Sequence, residues 1–360
     1  MNTWLIRALT ATALVVAGLL SGCTDKTEEA DTGEASSEQK LVIYNWTEYI
    51  PDGLLRQFTE ETGIEVDYAT YESNEAMYAR VKLLNAGGYD LVVPSTFYVE
   101  KMRKEGLLQP INKSLLNNYS NLDPNLLNKD YDPGNEFSVP YLWGSTAIAV
   151  NGDDVDASKI TQWADLWNPE YKGKLMLMDD VRDTFHAALR VKGYSSNTTD
   201  ENEIREAYEL LRELMPSVKT LNSDSPKTPL IQGNVSIGVI WNGEAYMAQQ
   251  EMDNLHYIYP EEGAVLWVDS FVIPKNAANV ENAHKFIDFM LRAESAKACI
   301  EELGYAAPNS AAMPLLDEAL RNNPIIFPAK EDIARGSFHQ DLGDAILIYE
   351  RYWELLKAGQ

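Results

Sequence analysis

The sequence predicts an α/β protein with two lobes, each an open, mostly parallel β-sheet flanked by helices. Strand-like and helix-like segments alternate along the first part of the chain, and this alternation is typical of parallel sheets. The chain has 360 residues, and a single hydrophobic core stops growing well below that length. Several predicted strands also end in aromatic and acidic residues, which an open α/β sheet gathers in one crevice.

The alternation is clearest between residues 41 and 93. Apolar runs or period-two alternation predict strands over residues 41–44, 64–71 and 89–93. Apolar residues at helical spacing predict helices over residues 54–62 and 73–84. A β-α-β-α-β order of this kind predicts parallel strand pairing.

The rest of the chain alternates in the same way after a loop-rich stretch over residues 112–140. His186 and His284 fall in predicted helices and are expected on helix surfaces. Predicted strands cover residues 146–150, 174–178, 235–240 and 265–273. Predicted helices cover residues 163–167, 184–192, 200–214, 280–291, 294–303 and 346–356.

The first 22 residues indicate an export signal. Arg7 is their only charged residue, and the apolar run over residues 8–20 is short for a membrane span. The sequence LSGC, which ends at Cys23, is typical of a bacterial lipoprotein cleavage site whose thiol takes the lipid. An ordinary secretory signal is the alternative. Residues 23–38 contain no large apolar residue and predict an acidic, disordered tether.

Composition and motifs exclude several classes of function. There are 55 acidic and 30 basic residues, and the net charge of −25 argues against nucleic acid and anionic membrane surfaces as partners. The sequence lacks GxSxG, HExxH, Walker A and dinucleotide-binding motifs. Cys299 is the only cysteine besides Cys23, so no disulfide is predicted. The sequence has no CxxC motif and no His/Cys cluster with metal-ligand spacing, so no metal site is predicted, and no cofactor is expected. A glycosidase that uses Asp180 with Glu48 stays open as an alternative.

The residues that follow the predicted strands suit an organic ammonium ligand. Aromatic faces attract cations, and carboxylates accept charged hydrogen bonds from them. The alternative is that the rings pack in the core and the carboxylates are solvated, but repetition at several strand ends favours one shared cleft. The residues concerned are Trp46, Glu48, Tyr49, Ser95, Phe97, Tyr98, Asp180, Asp183, Trp241 and Glu244.

Stretches in the same order and spacing, from about residue 41 to about residue 359, resemble the spermidine/putrescine-binding proteins of ABC importers. They include YNWTEYIPDGLL, YDLVVPSTFYVEKMRKEG, SIGVIWNGEAY and LWVDSFVIPKNA. The resemblance implies a two-lobed periplasmic-binding-protein fold with crossing strands between the lobes and a ligand cleft between them. It places residues 39–145 and 268–319 in the first lobe, and residues 146–267 and 320–360 in the second.

The resemblance also implies which residues bind the polyamine. Phe97, Asp183 and His339 stand where the family commonly has Tyr, Glu and Gln, and these departures bear on the choice among putrescine, spermidine and longer polyamines. With an ordinary His339 pKa of about 6.5, we expect polyamine affinity to fall between about pH 7 and pH 5. The aromatic wall comprises Trp46, Tyr49, Trp241, Trp267 and Tyr305. The amine partners are Glu48, Asp180, Asp183 and Asp269. The polar contacts are Thr47, Ser95 and Ser223.

The sequence thus predicts a non-enzymatic lipoprotein that captures spermidine or putrescine and hands it to the permease subunits of an ABC transporter. We expect a monomer without a cofactor, in the periplasm or on the outer face of the cytoplasmic membrane. It would meet the membrane only through the lipid on Cys23. A binding protein for an amino acid, sugar or ferric ion, and a hydrolase, are the open alternatives. An anionic ligand requires arginine in the cleft, where Arg182 is the only candidate.

Overall fold

Three parallel strands begin the folded chain. In this computed structural model, which describes residues 39–359, β1 (Lys40–Trp46) lies between β2 (Glu65–Tyr71) and β3 (Leu91–Val92). The crossover helices are α1 (Asp52–Thr62) and α2 (Asn74–Leu83). The predicted β-α-β-α-β order is therefore confirmed for this part of the chain.

Local capping explains where these first helices begin and end. Gly63 adopts a left-handed conformation at φ 71° and its N–H donates to the Thr59 carbonyl oxygen, which ends α1. Glycine adopts this conformation without the steric cost that a side chain brings. The Ser73 hydroxyl accepts a hydrogen bond from the Ala76 N–H at 3.2 Å, which caps the start of α2.

Two long antiparallel strands cross the middle of the sheet. β4 (Ser138–Asn151) pairs with β9 (Val265–Val272), and the register is irregular between Pro140 and Leu142. The sequence predicts a strand only from residue 146, because Pro140 and Gly144 interrupt the strand pattern. Proline cannot donate a ladder hydrogen bond, and Pro140 lies where the register of β4 with β9 is irregular. Because β4 pairs with β9 on both sides of this irregularity, the strand is longer than predicted.

Beyond β4 the sheet continues with strands from the middle of the chain. β7 (Ile237–Trp241) pairs antiparallel with β4, and β5 (Leu175–Leu177) and β6 (Val218–Leu221) follow in parallel. The full order is β2-β1-β3-β9-β4-β7-β5-β6. β8 (Leu255–Ile258) pairs with β4, and β10 (Ser337–Phe338) pairs with β9. The sheet is parallel on both flanks and antiparallel at its centre.

The remaining helices pack against this sheet or close its ends. Two of them carry the candidate site, because they begin directly after the ends of β5 and β7. The remaining helices are α3 (Thr96–Lys104), α4 (Val181–Val191), α5 (Glu201–Leu214), α6 (Lys227–Ile231), α7 (Asn242–Gln249), α8 (Val280–Met290), α9 (Ala293–Leu303), α10 (Glu318–Arg321), α11 (Lys330–Arg335) and α12 (Ile346–Ala358).

Two large apolar cores lie on the two sides of the central strands. The first includes Phe58 and Phe286, from α1 and α8. The second includes Phe185, from α4. β4 contributes Leu142 to the first core and Ile148 to the second, so the chain passes from one core to the other within that strand. This is the arrangement of two lobes joined by crossing strands, and the exact lobe boundaries stay a prediction.

His186 and His284 are buried, so the expectation that they lie on helix surfaces is wrong. A ring nitrogen of His186 on α4 is 3.0 Å from the Gly263 carbonyl oxygen. Nε2 of His284 on α8 accepts a hydrogen bond from the Asn112 N–H at 2.9 Å. Both helices are covered by neighbouring segments on the face that carries the histidine, which helical spacing alone does not reveal.

The predicted signal peptide, the lipidation residue Cys23 and the acidic tether lie outside the described residues. Between residues 39 and 359, no helix combines the length and apolarity needed to cross a membrane. Cys299 is a buried free thiol, and burial raises its pKa to about 12. A thiol with so high a pKa is unreactive at neutral pH, as expected for an apolar helix residue.

Candidate binding site

A cavity lies beyond the carboxyl ends of β1, β3, β5 and β7, and the empty space between its walls, including solvent at its open mouth, is about 610 Å³. All the residues that the family resemblance implies, except Glu48 and Ser223, line it, whereas Tyr98, a strand-end candidate, does not. Its aromatic walls are Trp46, Tyr49, Phe97, Trp241, Trp267 and Tyr305. Its acidic side chains are Asp180, Asp183, Asp224, Glu244 and Asp269. Its other polar side chains are Thr47, Asn74, Ser95 and His339.

Trp46 and Trp241 bring the ends of two separated strands together. Trp46 is the last residue of β1, and its Nε1–H donates to the Val93 carbonyl oxygen at 3.0 Å, which fixes the ring beside β3. Its ring centre is 5.8 Å from that of Trp241, which ends β7, in an edge-to-face arrangement. Such aromatic pairs hold a rigid apolar wall.

Trp267 and Tyr305 form a second aromatic wall. Their ring centres are 5.3 Å apart, and Tyr305 is also 5.3 Å from Tyr49. A Cβ atom on Gly144 would lie 2.7 Å from the Trp267 ring and 2.1 Å from Oδ1 of Asn242. Only glycine therefore allows β4 to approach Trp267 this closely.

Asp269 is a buried carboxylate of this cavity and is only 5% exposed. It accepts hydrogen bonds from the Tyr49 hydroxyl at 2.8 Å and the Ser95 hydroxyl at 2.7 Å. Burial raises the pKa of Asp269 to about 7, although both hydrogen bonds lower it. Because both donors are neutral, they leave the negative charge uncompensated, and a cation in the cavity would stabilise it.

Asp180 and Asp183 lie at the start of α4. Asp180 caps the helix, since its Oδ1 accepts from the backbone N–H groups of Arg182 at 2.8 Å and Asp183 at 2.9 Å. Asp183 is buried and accepts from the Thr146 hydroxyl on β4 at 2.7 Å. Burial and the charge of Asp180 raise the pKa of Asp183 to about 8. An ammonium group beside this pair would lower that pKa again.

Arg182 lies between these two carboxylates in the sequence but does not line the cavity. Its guanidinium donates to the carbonyl oxygens of Gln340 at 3.1 Å and Ser196 at 3.3 Å, and to Oδ1 of Asn197 at 2.9 Å. These contacts fix it among protein acceptors. The candidate arginine for an anionic ligand is therefore engaged elsewhere.

His339 is buried at the cavity wall. Its Nδ1 is 3.8 Å from Oδ1 of Asp183, and its ring stands edge-on to Phe97 with centres 5.8 Å apart. Burial, together with the charges of Arg182 and His186, lowers the pKa of His339 well below its usual range. This shift favours the neutral ring, which argues against the expectation that protonation of His339 weakens binding between about pH 7 and pH 5. That expectation assumed that His339 has the pKa of a solvent-exposed imidazole.

Glu48 and Ser223, unlike the other residues that the resemblance implies, do not line the cavity, and their role in binding stays a prediction. The Glu48 side chain is 57% exposed and pairs with the ammonium of Lys227 at 2.6 Å. Its backbone is left-handed, with φ at 49°, because the chain turns sharply after β1. Ser223 is buried beside a neighbouring groove. Since Glu48 lies outside the cavity, it does not face Asp180 there as the hydrolase alternative requires.

Three lining residues are not among those that the family resemblance implies. Asn74, at the start of α2, donates to the Ser95 hydroxyl at 3.0 Å and so positions a hydrogen-bond donor to Asp269. Glu244 follows Trp241 at the end of β7, and this strand-end position was the available signal for it. Asp224 is exposed in a loop and shows no comparable pattern.

The two cores, the crossing strands and the cavity at the strand ends define a periplasmic-binding-protein fold. A family model described as bacterial extracellular solute-binding protein matches residues 53–328. The chain belongs to this family, and the predicted fold class is confirmed.

Individual relatives agree with the family. A spermidine/putrescine-binding periplasmic protein of Salmonella typhimurium is 54% identical over 326 residues, which cover 91% of this chain and 94% of that protein. The structure of the spermidine/putrescine ABC transporter substrate-binding protein PotD from Streptococcus pneumoniae has a TM-score of 0.75 and 40% identity, and the match covers 89% of this chain and 99% of that chain. The TpPotD lipoprotein of Treponema pallidum has a TM-score of 0.77 and 29% identity, with 88% and 99% covered.

Proposed function

We propose that this protein captures a polyamine of the putrescine and spermidine type in the described cavity and delivers it to the permease of an ABC transporter, without catalysing a reaction. The buried pair of sites at Asp269 and Asp183 carries this proposal. Both carboxylates have neutral hydroxyl donors and raised pKa values, so each is stabilised by an incoming cation. The names of the relatives point to the same ligands.

The chemistry of the walls favours a polyamine over other solutes. Acidic residues and aromatic rings line the cavity, and no Lys or Arg is among the described residues that line it. A polyamine offers ammonium groups separated by apolar methylene chains. Carboxylates satisfy the charges, while flat rings cover the methylenes and attract the ammonium groups. Amino acids and sugar acids carry carboxylates that these walls would repel.

Calorimetric titration tests the proposal. Putrescine and spermidine are expected to bind, whereas glutamate and maltose are not, because neither supplies the spaced positive charges. Binding of both polyamines weaker than about 1 mM, or about −4 kcal/mol, would overturn the proposal. Turnover of a glycoside would instead support the hydrolase alternative.

Trp267→Ala tests the aromatic wall. The substitution removes ring area and a cation–π surface next to Tyr305, so polyamine binding should weaken by about 1–2 kcal/mol. Trp353→Ala is the matched control, because Trp353 is buried in the second core and does not line the cavity. The dissociation constants of the folded variants decide the outcome. Equal affinity in Trp267→Ala and the wild type would place the ligand elsewhere.

We also propose that the mature protein is anchored by a lipid on Cys23 and acts as a monomer at the outer face of the cytoplasmic membrane or in the periplasm. The cleavage-site sequence supports the anchor, and one relative is itself called a lipoprotein. Cys23→Ser should move the protein from the membrane fraction to the soluble fraction and leave polyamine affinity unchanged. Fractionation followed by titration measures both. If the variant stays in the membrane, an uncleaved hydrophobic segment holds it.

A further inference from the structure

Lys227 places an ammonium group of the protein itself at the edge of the cavity. Its Nζ lies 2.6 Å from Oε2 of Glu48 and 3.3 Å from Oε2 of Glu244. The Lys227 backbone N–H also donates to Oε2 of Glu244 at 3.1 Å. The Lys227 side chain is 16% exposed and that of Glu244 is 7% exposed, so this ion pair is largely shielded from solvent.

The ion-pair cluster of Glu48, Lys227 and Glu244 joins segments from the two sides of the cavity. Glu48 follows β1, which belongs to the first core, whereas Lys227 and Glu244 begin α6 and α7. Burial alone would lower the pKa of Lys227, but the charges of Glu244 and Glu48 raise it above its ordinary value. Lys227 therefore remains an ammonium at neutral pH.

This ammonium changes how many charges a ligand can place in the cavity. Glu244 lines the cavity but already pairs with Lys227. Two buried carboxylate positions then remain for the ligand, one at Asp269 and one at the adjacent Asp180 and Asp183. Asp224 is exposed, so an amine beside it would stay hydrated and gain little.

We infer that Lys227 determines ligand length: it occupies the position of a third ammonium group, and the cavity accepts a linear diamine of putrescine length in preference to a triamine. This inference rests on the proposed polyamine function. A diamine supplies one ammonium group for each of these two carboxylate positions. The third amine of a triamine meets a fixed like charge at Lys227 and must compete with that ammonium for Glu48 and Glu244, which both already pair with it.

Lys227→Met tests the inference, because methionine has a similar length and no charge. The wild type should bind putrescine more tightly than spermidine. In Lys227→Met the ratio of the two dissociation constants should shift at least tenfold toward spermidine, since Glu48 and Glu244 become free to pair with its third amine. Lys227→Arg keeps the charge and should keep the preference for putrescine. Titrations of both ligands at one pH and salt concentration give the three ratios.

A second variant covers the case in which an unpaired Glu244 prevents folding of Lys227→Met. Lys227→Ala combined with Glu244→Ser removes the cation and its buried partner together and leaves Glu48 free, so it should show the same tenfold shift. A wild type that prefers spermidine, or an unchanged ratio in the folded variants, would overturn the inference while the polyamine function stands. A wild type that binds neither polyamine would instead overturn the proposed function.

Discussion

Asp269→Asn should weaken polyamine binding by about 2–5 kcal/mol, the range for removing one partner of a desolvated charge pair. Asn has nearly the shape of Asp and keeps partners for the Tyr49 and Ser95 hydroxyls, which now lie 2.8 and 2.7 Å from Asp269. What it removes is the negative charge that compensates a buried ammonium. Titration of the variant with putrescine and spermidine measures the loss.

Thermal unfolding of the ligand-free variant separates this loss from a folding defect. Asp269 is buried and carries no compensating cation among its hydrogen-bond partners, so its neutralisation should not lower the melting temperature. Asp253→Asn makes the same charge change at an exposed residue and should bind as the wild type does. Wild-type affinity in Asp269→Asn would show that no ligand amine lies beside this carboxylate.

The sequence predicts the fold best where local pattern and tertiary structure agree. The first three strands and their helices follow directly from apolar spacing and from caps such as Gly63 and Ser73. β4 shows the limit, because Pro140 and Gly144 break its pattern and are accommodated only by its neighbours. Pro140 lies at a register irregularity, and Gly144 is needed for the approach of Trp267. Neither reason can be read from the strand alone.

The candidate site also contains some residues that the sequence pattern locates and others that only the tertiary structure locates. Residues that follow strand ends, such as Trp46 and Asp183, are predictable because the topology of a parallel sheet gathers them. Asp269 lies inside the antiparallel strand β9, and only the family resemblance implied its role. Glu48 is not predictable in this way, since its position depends on Lys227, which lies 179 residues away in the sequence. His339 is not, since its pKa depends on the depth at which it is buried. Long-range ion pairs and burial are properties of the assembled structure.

The buried carboxylates, rather than His339, should make binding depend on pH. In the empty cavity the pKa of Asp269 is about 7 and that of Asp183 is about 8, in each case raised mainly by burial. Alkylammonium groups have pKa values of about 10.4, so the ligand stays charged throughout this range. The complex requires ionised carboxylates, and the bound ammonium groups lower their pKa values. Protons must therefore leave the site on binding at neutral pH.

We therefore expect polyamine affinity to fall on the order of several hundred-fold from pH 8 to pH 6. Asp269, with a pKa of about 7 in the empty cavity, contributes about tenfold, and Asp183, with a pKa of about 8, contributes about fiftyfold. Calorimetry in buffers of different ionisation enthalpy should show proton release. Asp183→Asn should give a shallower curve because one titrating group is gone. His339→Gln should give a curve parallel to the wild type, because burial favours the neutral imidazole of His339. If the polyamine affinity of the wild type did not change with pH, or if that of His339→Gln did not, the pH dependence could not be assigned to the buried carboxylates.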